Sequence, residues 1–220
     1  QRQMCIRDRP SIEIPGSVMY IGADVFEGCN SLTSVKILDG VTSIRARMFE
    51  DCSNLTSVEI PESVTSIGDS AFEGCSSLTS IEIPASVTNI GSAAFYDTPW
   101  LRNKQNENPI VIVNHIVIDG KKCEGDVIIP DGVTAIGQTA FGNCSSLTSV
   151  EIPESVTSIW YGAFWGCSSL TSIVIPESVT SIRDEAFYGC SSLALVVSPD
   201  SYAETYACLL YTSPSPRDTR

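Results

Sequence analysis

Six cysteines, one histidine and two rows of carboxylates are the residues of this 220-residue chain from which chemistry could be built. Cys29, Cys52, Cys75, Cys144, Cys167 and Cys190 are spaced by 23 residues or a multiple of 23. Thiols can hold a metal, pair as disulfides or attack a carbonyl, but the C-x-x-C spacing of a zinc site is missing. One thiol per period, all pointing the same way, reads instead as an internal column of small, apolar, unpaired thiols. His115 is the only histidine and falls at a turn signal. A serine–histidine pair would have to use it, and no serine stands in a G-x-S-x-G elbow. No glycine loop is shaped to cradle phosphate. No catalytic, cofactor-binding or metal-ligating residue is assigned on these grounds, and no cofactor is expected. The carboxylates form two columns. Glu13, Glu59, Glu82 and Glu151 share one, with Lys36 and Val174 in register; Asp39, Glu62, Asp131, Glu154, Glu177 and Asp200 share the other. Like charges stacked about 5 Å apart repel and could be relieved by calcium. The Asp-Gly repeats of calcium-binding coils are lacking, so a solvated acidic face is the expectation.

What positions these residues is a repeat. Phe26, Phe49, Phe72 and Phe95 are 23 apart, as are Phe141, Phe164 and Phe187, and leucine follows at Leu32, Leu55, Leu78, Leu101, Leu147, Leu170 and Leu193. A fixed period of this size marks a solenoid, in which no unit can bury its apolar face alone and each stacks on its neighbours. Within one unit, residues 78–83 read as a short strand with Ile81 and Ile83 facing in and Ser80 and Glu82 facing out. Pro84 lacks a ladder donor and closes it. Val87 and Ile90 suggest a second extended piece, Gly91 a turn, and Ala94-Phe95 a single turn of 3₁₀ or α structure with a buried ring.

The unit L-T-S-I-E-I-P-E-S-V-T-S-I-G-x-x-A-F-x-G-C resembles a leucine-rich repeat. Its I-P-x-S-V-x-x-I-G-x-x-A-F-x-x-C continuation resembles the BspA-like leucine-rich repeat family of bacterial surface proteins over residues 11–207. The resemblance implies a leucine-rich-repeat solenoid: mainly β, with short 3₁₀ or α turns and 23-residue coils. Residues 10–97 and 126–207 are the expected coils. The general leucine-rich pattern places Asn or Cys in the turn after the strand; here that slot holds Ser63, Ser86, Ser155 and Ser178. Pro-x-Ser must therefore make the turn by another bond. Residues 98–125 lose the Phe and Cys marks but keep the phase. Residues 110–113 and 116–118 are β-rich around Asn114-His115, so this insert is expected to be a β-hairpin.

Both ends leave the period. "MCIRD" and "CLLYTS" can be encoded by opposite strands of one short DNA, and they resemble translated transposon-adapter sequence. Residues 1–9 and 208–220 are thus expected to be adapter-derived tails on a metagenomic-type fragment of a longer protein. They carry five arginines against two aspartates, so setting them aside moves the net charge from −13 to −16. So acidic a chain is a poor partner for phosphate backbones, and no nucleic acid is expected. No membrane insertion is expected of the fragment.

The outward strand positions are the expected ligand-facing surface: Ser34, Lys36, Ser57, Glu59, Ser80, Glu82, Ser149, Glu151, Ser172 and Val174. An aromatic group of Trp160, Tyr161, Trp165 and Tyr188 either binds a glycan or partner or packs on neighbouring coils. The leading expectation is a non-enzymatic recognition or adhesion module, extracellular or on a cell surface. The family resemblance implies host-matrix proteins or neighbouring cells as ligands. The alternatives are a structural spacer within a larger secreted protein and an accessory carbohydrate-binding region.

Overall fold

The computed structural model describes residues 9–18 and 21–212, with side chains as far as 208. Residues 1–8 and 213–220, which make up most of both suspected tails, lie outside them. The chain divides into two compact units, one ending at Asn114 and the other beginning at His115.

In the first unit the coils contribute short strands in turn: Ser11–Ile14 (β1), Ser34–Ile37 (β2), Ser43–Ile44 (β3), Ser57–Glu59 (β4), Ser66–Ile67 (β5) and Asn89–Ile90 (β6). They form two parallel sheets, β1-β2-β4 and β3-β5-β6. The register is the sequence period itself: Val35 pairs with Val58, and Ile67 with Ile90. Strand alternation therefore puts like on like, inward and outward. Phe26, Phe49, Phe72 and Phe95 stack with centroids 5.3, 5.4 and 5.5 Å apart and rings within 11° of parallel. Beside them Cys52 and Cys75 are fully buried, and each thiol donates to the carbonyl of the phenylalanine 26 residues back, Phe26 and Phe49, at 3.0 and 3.1 Å. The thiols are thus unpaired and internally satisfied. Burial pushes both up to about 12, far from a reactive thiolate.

The segment around each phenylalanine holds single short turns rather than a continuous helix. Single i→i−3 turns, such as Met48 N–H to Arg45 O and Cys52 N–H to Phe49 O, are joined to the next coil by bonds such as Phe49 N–H to Ala71 O. The chain bends through left-handed residues on both sides of the ring, Arg47 and Asp51 around Phe49, for example. The serine slot supplies the turn bond that an asparagine would otherwise make. Ser63 Oγ donates to Val41 O at 2.8 Å and Ser86 Oγ to Val64 O at 2.7 Å, while Ser63 Oγ also accepts from Gly40 N–H.

The insert begins with a helix that the strand-rich reading of residues 98–125 did not anticipate: Pro99–Glu107 (α1). Thr98 is its N-cap, accepting from Leu101 N–H at 3.1 Å, with Pro99 in the first turn. Leu101 keeps its repeat position and is buried, and Trp100 packs on Phe95 at 4.6 Å, ending the aromatic column. Val111–Val113 (β7) and Ile116–Asp119 (β8) are the hairpin arms. Asn114 and His115 between them, at φ 47° and 66°, have the two left-handed residues of a type I′ turn. Asn114 also takes over the missing serine: its Nδ2 donates to Pro84 O at 2.7 Å and Val87 O at 3.0 Å.

The second unit repeats the plan. After β8 come Gly125–Ile128 (β9), Ala135–Ile136 (β10), Leu147–Glu151 (β11), Ser158–Ile159 (β12), Ser172–Ile175 (β13), Ser181–Ile182 (β14) and Ala194–Val197 (β15). One parallel sheet runs β9-β11-β13-β15 and the other continues β8-β10-β12-β14. Phe141, Phe164 and Phe187 stack at 5.1 and 5.4 Å. Gly120 leaves the room that the first of these rings fills, because a Cβ there would collide with Phe141. Tyr202–Thr212 (α2) follows, and its Tyr206 meets Phe187 edge-on at 6.2 Å. The helix runs through residue 207, where the repeat was expected to stop.

One expectation fails inside the repeat. Residues 78–83, whose pattern is the same as that of β2, form no strand, and Ile81 and Ile83 are half-buried rather than buried. The slot one period further on belongs to α1, so no next strand packs on this segment. Trp100 N–H instead claims Leu78 O at 3.0 Å.

Candidate functional site

The expected ligand-facing residues lie on the outer faces of β1-β2-β4 in the first unit and β9-β11-β13-β15 in the second, except Ser80 and Glu82, which lie in the unpaired segment 78–83. In the first unit Ser34 pairs with Ser57 and Lys36 with Glu59 across β2 and β4, and Glu13 precedes Lys36. Lys36, Ser57, Glu59, Ser80 and Glu82 are exposed, and Ser34 is half-buried. Lys36 Nζ lies 3.4 Å from Glu59 Oε2 in an exposed ion pair of the kind that adds little stability. Beside this column a cleft of about 750 Å³ opens between residues 56–60 and 79–82, closed on one side by Trp100, Asn103, Lys104 and Glu107 of α1. It brings Ser57, Glu59, Ser80 and Glu82 together. The four helix residues were not readable as site residues, because nothing in the repeat signals a helix there.

In the second unit the outer face has a different character. Asp126, Ser149, Ser172 and Ala194 form one row, and Ile128, Glu151, Val174 and Val196 the next. Ser149 Oγ donates to Asp126 Oδ1 at 2.6 Å, and Thr148 Oγ1 joins it at 2.9 Å. These two bonds hold the Asp126 carboxyl below its usual range. Ile128, Val174 and Val196 are 68, 54 and 52 % exposed. Ile128 and Val196 were overlooked in the sequence, although both stand in the glutamate slot of the repeat and counting by 23, or 22 for the last coil, reaches them. A shallow cleft of about 550 Å³ runs along this face, lined by Glu151, Val174, Glu177 and Val196 among others.

The aromatic group is divided by its bonds. Trp160 is half-buried and its Nε1–H donates to Ser158 Oγ at 3.1 Å. Tyr161 donates to Glu185 Oε2 at 2.6 Å, and that hydrogen bond raises its phenol. Trp165 and Tyr188, 38 and 60 % exposed, occupy one column in successive coils, linked by Gly166 N–H to Tyr188 O. Among the described residues no ring-to-ring contact joins these four side chains.

His115 Nδ1 lies 2.9 Å from Gly132 O, so the ring is engaged by a backbone carbonyl. The second acidic column, from Asp39 to Asp200, is exposed throughout. Among the described residues no three metal-capable side chains converge, and no helix is long and apolar enough to cross a membrane.

A search of the curated proteins gives no match. Among solved structures the chain is similar to a leucine-rich repeat protein from Bacteroides ovatus. The two are 34 % identical over 86 % of this chain and 45 % of that one, with a TM-score of 0.42. It is also similar to a leucine-rich cell surface protein from Faecalibacterium prausnitzii (29 % identity, 84 % and 64 % covered, TM-score 0.37). The leucine-rich repeat protein of T. pallidum is a third (25 % identity, 93 % and 85 % covered, TM-score 0.45). The chain spans less than half of the first protein and 64 % of the second. A model of the BspA-type leucine-rich repeat region matches residues 5–117 and 120–214 in six copies. With the coils, their register and this match in agreement over nearly the whole length, the chain belongs to the BspA-type leucine-rich repeat family.

Proposed function

We propose that this chain is a non-enzymatic protein-recognition module of a bacterial surface or secreted protein, and that it holds an adhesion ligand on the outer faces of its strands. The observation that carries this reading is the apolar row Ile128, Val174 and Val196, left in solvent around Glu151 on rigid, hydrogen-bonded strands. A spacer needs only solubility, and large apolar side chains left exposed, two of them adjacent at Val174 and Val196, work against it; on a stable scaffold they mark contact surfaces. The acidic column of the first unit adds charge selection, which favours encounter with basic partners.

The test is surface plasmon resonance of the chain over immobilised extracellular-matrix proteins and a glycan array. Val174→Asp with Val196→Asp is expected to weaken protein binding by about tenfold or more while thermal unfolding is unchanged. A spacer would retain nothing saturably. Exposure of Trp165 and Tyr188 on successive coils favours a glycan as the second reading. In that case the array is bound, the valine variant binds as before, and Trp165→Ala abolishes retention.

A further inference from the structure

We propose that the cleft of the first unit takes an extended, lysine- or arginine-bearing segment of the protein ligand, which adds there as a strand. This rests on the recognition role above and gives the partner its chemistry.

The ladder is interrupted at this place. Between the preceding coils Thr56 donates to Thr33 O through its N–H at 2.9 Å and through Oγ1 at 3.0 Å. The equivalent pair in the second unit, Thr171 and Thr148, does the same at 3.0 and 3.2 Å. Thr79 stands one period after Thr56 and makes neither bond: among the described residues, no backbone hydrogen bond joins 79–83 to 56–60. Parallel strands alternate the direction of their backbone groups. Ser57 N–H points to Thr33 O, so the N–H and C=O of Val58 point the other way, toward residues 79–83. Backbone groups left open on a strand edge are a template for another strand.

The two coils are parted on this face alone. On the opposite side β5 and β6 stay paired, Thr88 N–H reaches Thr65 O at 3.0 Å, and Phe72 stacks on Phe95. The result is a wedge of about 750 Å³, within the size range of sites that bury a ligand. Its walls combine Val58, Ile60, Ile81 and Trp100 with the carboxylates of Glu59, Glu82 and Glu107, against the single cation Lys104. Lys104 is paired with Glu107 at 3.1 Å and Lys36 with Glu59 at 3.4 Å. Glu82 has no ion-pair partner among the described residues. A strand alternating apolar and basic side chains satisfies the open backbone, covers Ile81, and meets the carboxylates at the rim.

The experiment is fluorescence anisotropy on the full chain with a labelled peptide of four Lys-Val repeats. The controls are four Glu-Val repeats and the Lys-Val peptide N-methylated at alternate residues. The Lys-Val peptide is expected to bind saturably, about tenfold or more tighter than either control. Glu82→Gln with Glu107→Gln is expected to weaken it several-fold and to flatten its salt dependence. Hydrogen exchange at the Val58 and Glu82 amides is expected to slow when it binds. Equal binding of the methylated peptide, absence of protection at these amides, or no binding at all overturns the proposal. If a matrix protein is retained through Val174 and Val196 while the peptide is not, strand addition fails alone. If the peptide binds and no matrix protein does, the recognition reading fails alone.

Discussion

At the scale of single residues, the repeat multiplies whatever it carries, including unfavourable charge. Glu27, Glu50 and Glu73 stand one period apart. Glu50 Oε2 is buried without a hydrogen-bond partner, and its nearest cation, Arg47, lies 3.8 Å away. Burial first, then Glu73 and Glu27, hold the Glu50 carboxyl above its usual range. A carboxyl raised in the folded state penalises folding once it ionises. The penalty is fully present above the folded pKa and disappears below the unfolded one. Glu50→Gln is therefore expected to stabilise the fold at pH 7 by up to about 1 kcal/mol. The gain should vanish near pH 4, as read by thermal melts of both proteins across that range. The cysteines show the opposite economy. One small thiol per coil fills the interior and satisfies a carbonyl, with no demand for a partner thiol.

At the scale of the element, the turn after each strand is the joint that the family pattern left open. A serine hydroxyl bonds the carbonyl of the preceding coil in Ser63, Ser86 and Ser178, and Asn114 does so where the insert breaks the spacing. Asn114 carries two such bonds and a left-handed backbone, so Asn114→Ala loses both bonds and strains the turn. A loss of about 1–3 kcal/mol is expected in urea unfolding. Asn114→Gly, which relieves the backbone but not the bonds, should recover part of it, whereas Ser86→Ala should cost only about 1 kcal/mol. Asn114→Gly and Ser86→Ala unfolding at the same urea concentration as the unmodified protein would show that the turn bonds contribute nothing.

At the scale of the whole chain, each unit has its aromatic column closed by a helix: Trp100 of α1 against Phe95 in the first, Tyr206 of α2 against Phe187 in the second. The last ring of each column has no further phenylalanine of its own unit to stack on, and the helix side chain supplies that contact. Stability in such a stack is the sum of coils and the contacts between neighbours. Phe72→Ala, in the middle of the first column and fully buried, is expected to cost about 3–5 kcal/mol. Hydrogen exchange should show lost protection in the coils of Phe49 and Phe95 before that of Phe26. Uniform loss throughout the first unit would mean that it unfolds as one block.

The 23-residue period carried in the sequence determined the coil, its register and its interior, because a stacked repeat has one way to place like residues on like. It also placed the outward-facing columns of the strands, down to Val174. Two features were beyond its reach. Residues 78–83 have the letters of a strand and lack the pairing, since a strand is made by its neighbours and α1 stands where the next one would be. The same helix brings Trp100, Lys104 and Glu107 to Glu59 and Glu82, and so creates a cleft no single coil encodes. Hydrogen bonding and packing between distant segments, which local pattern does not specify, decided both.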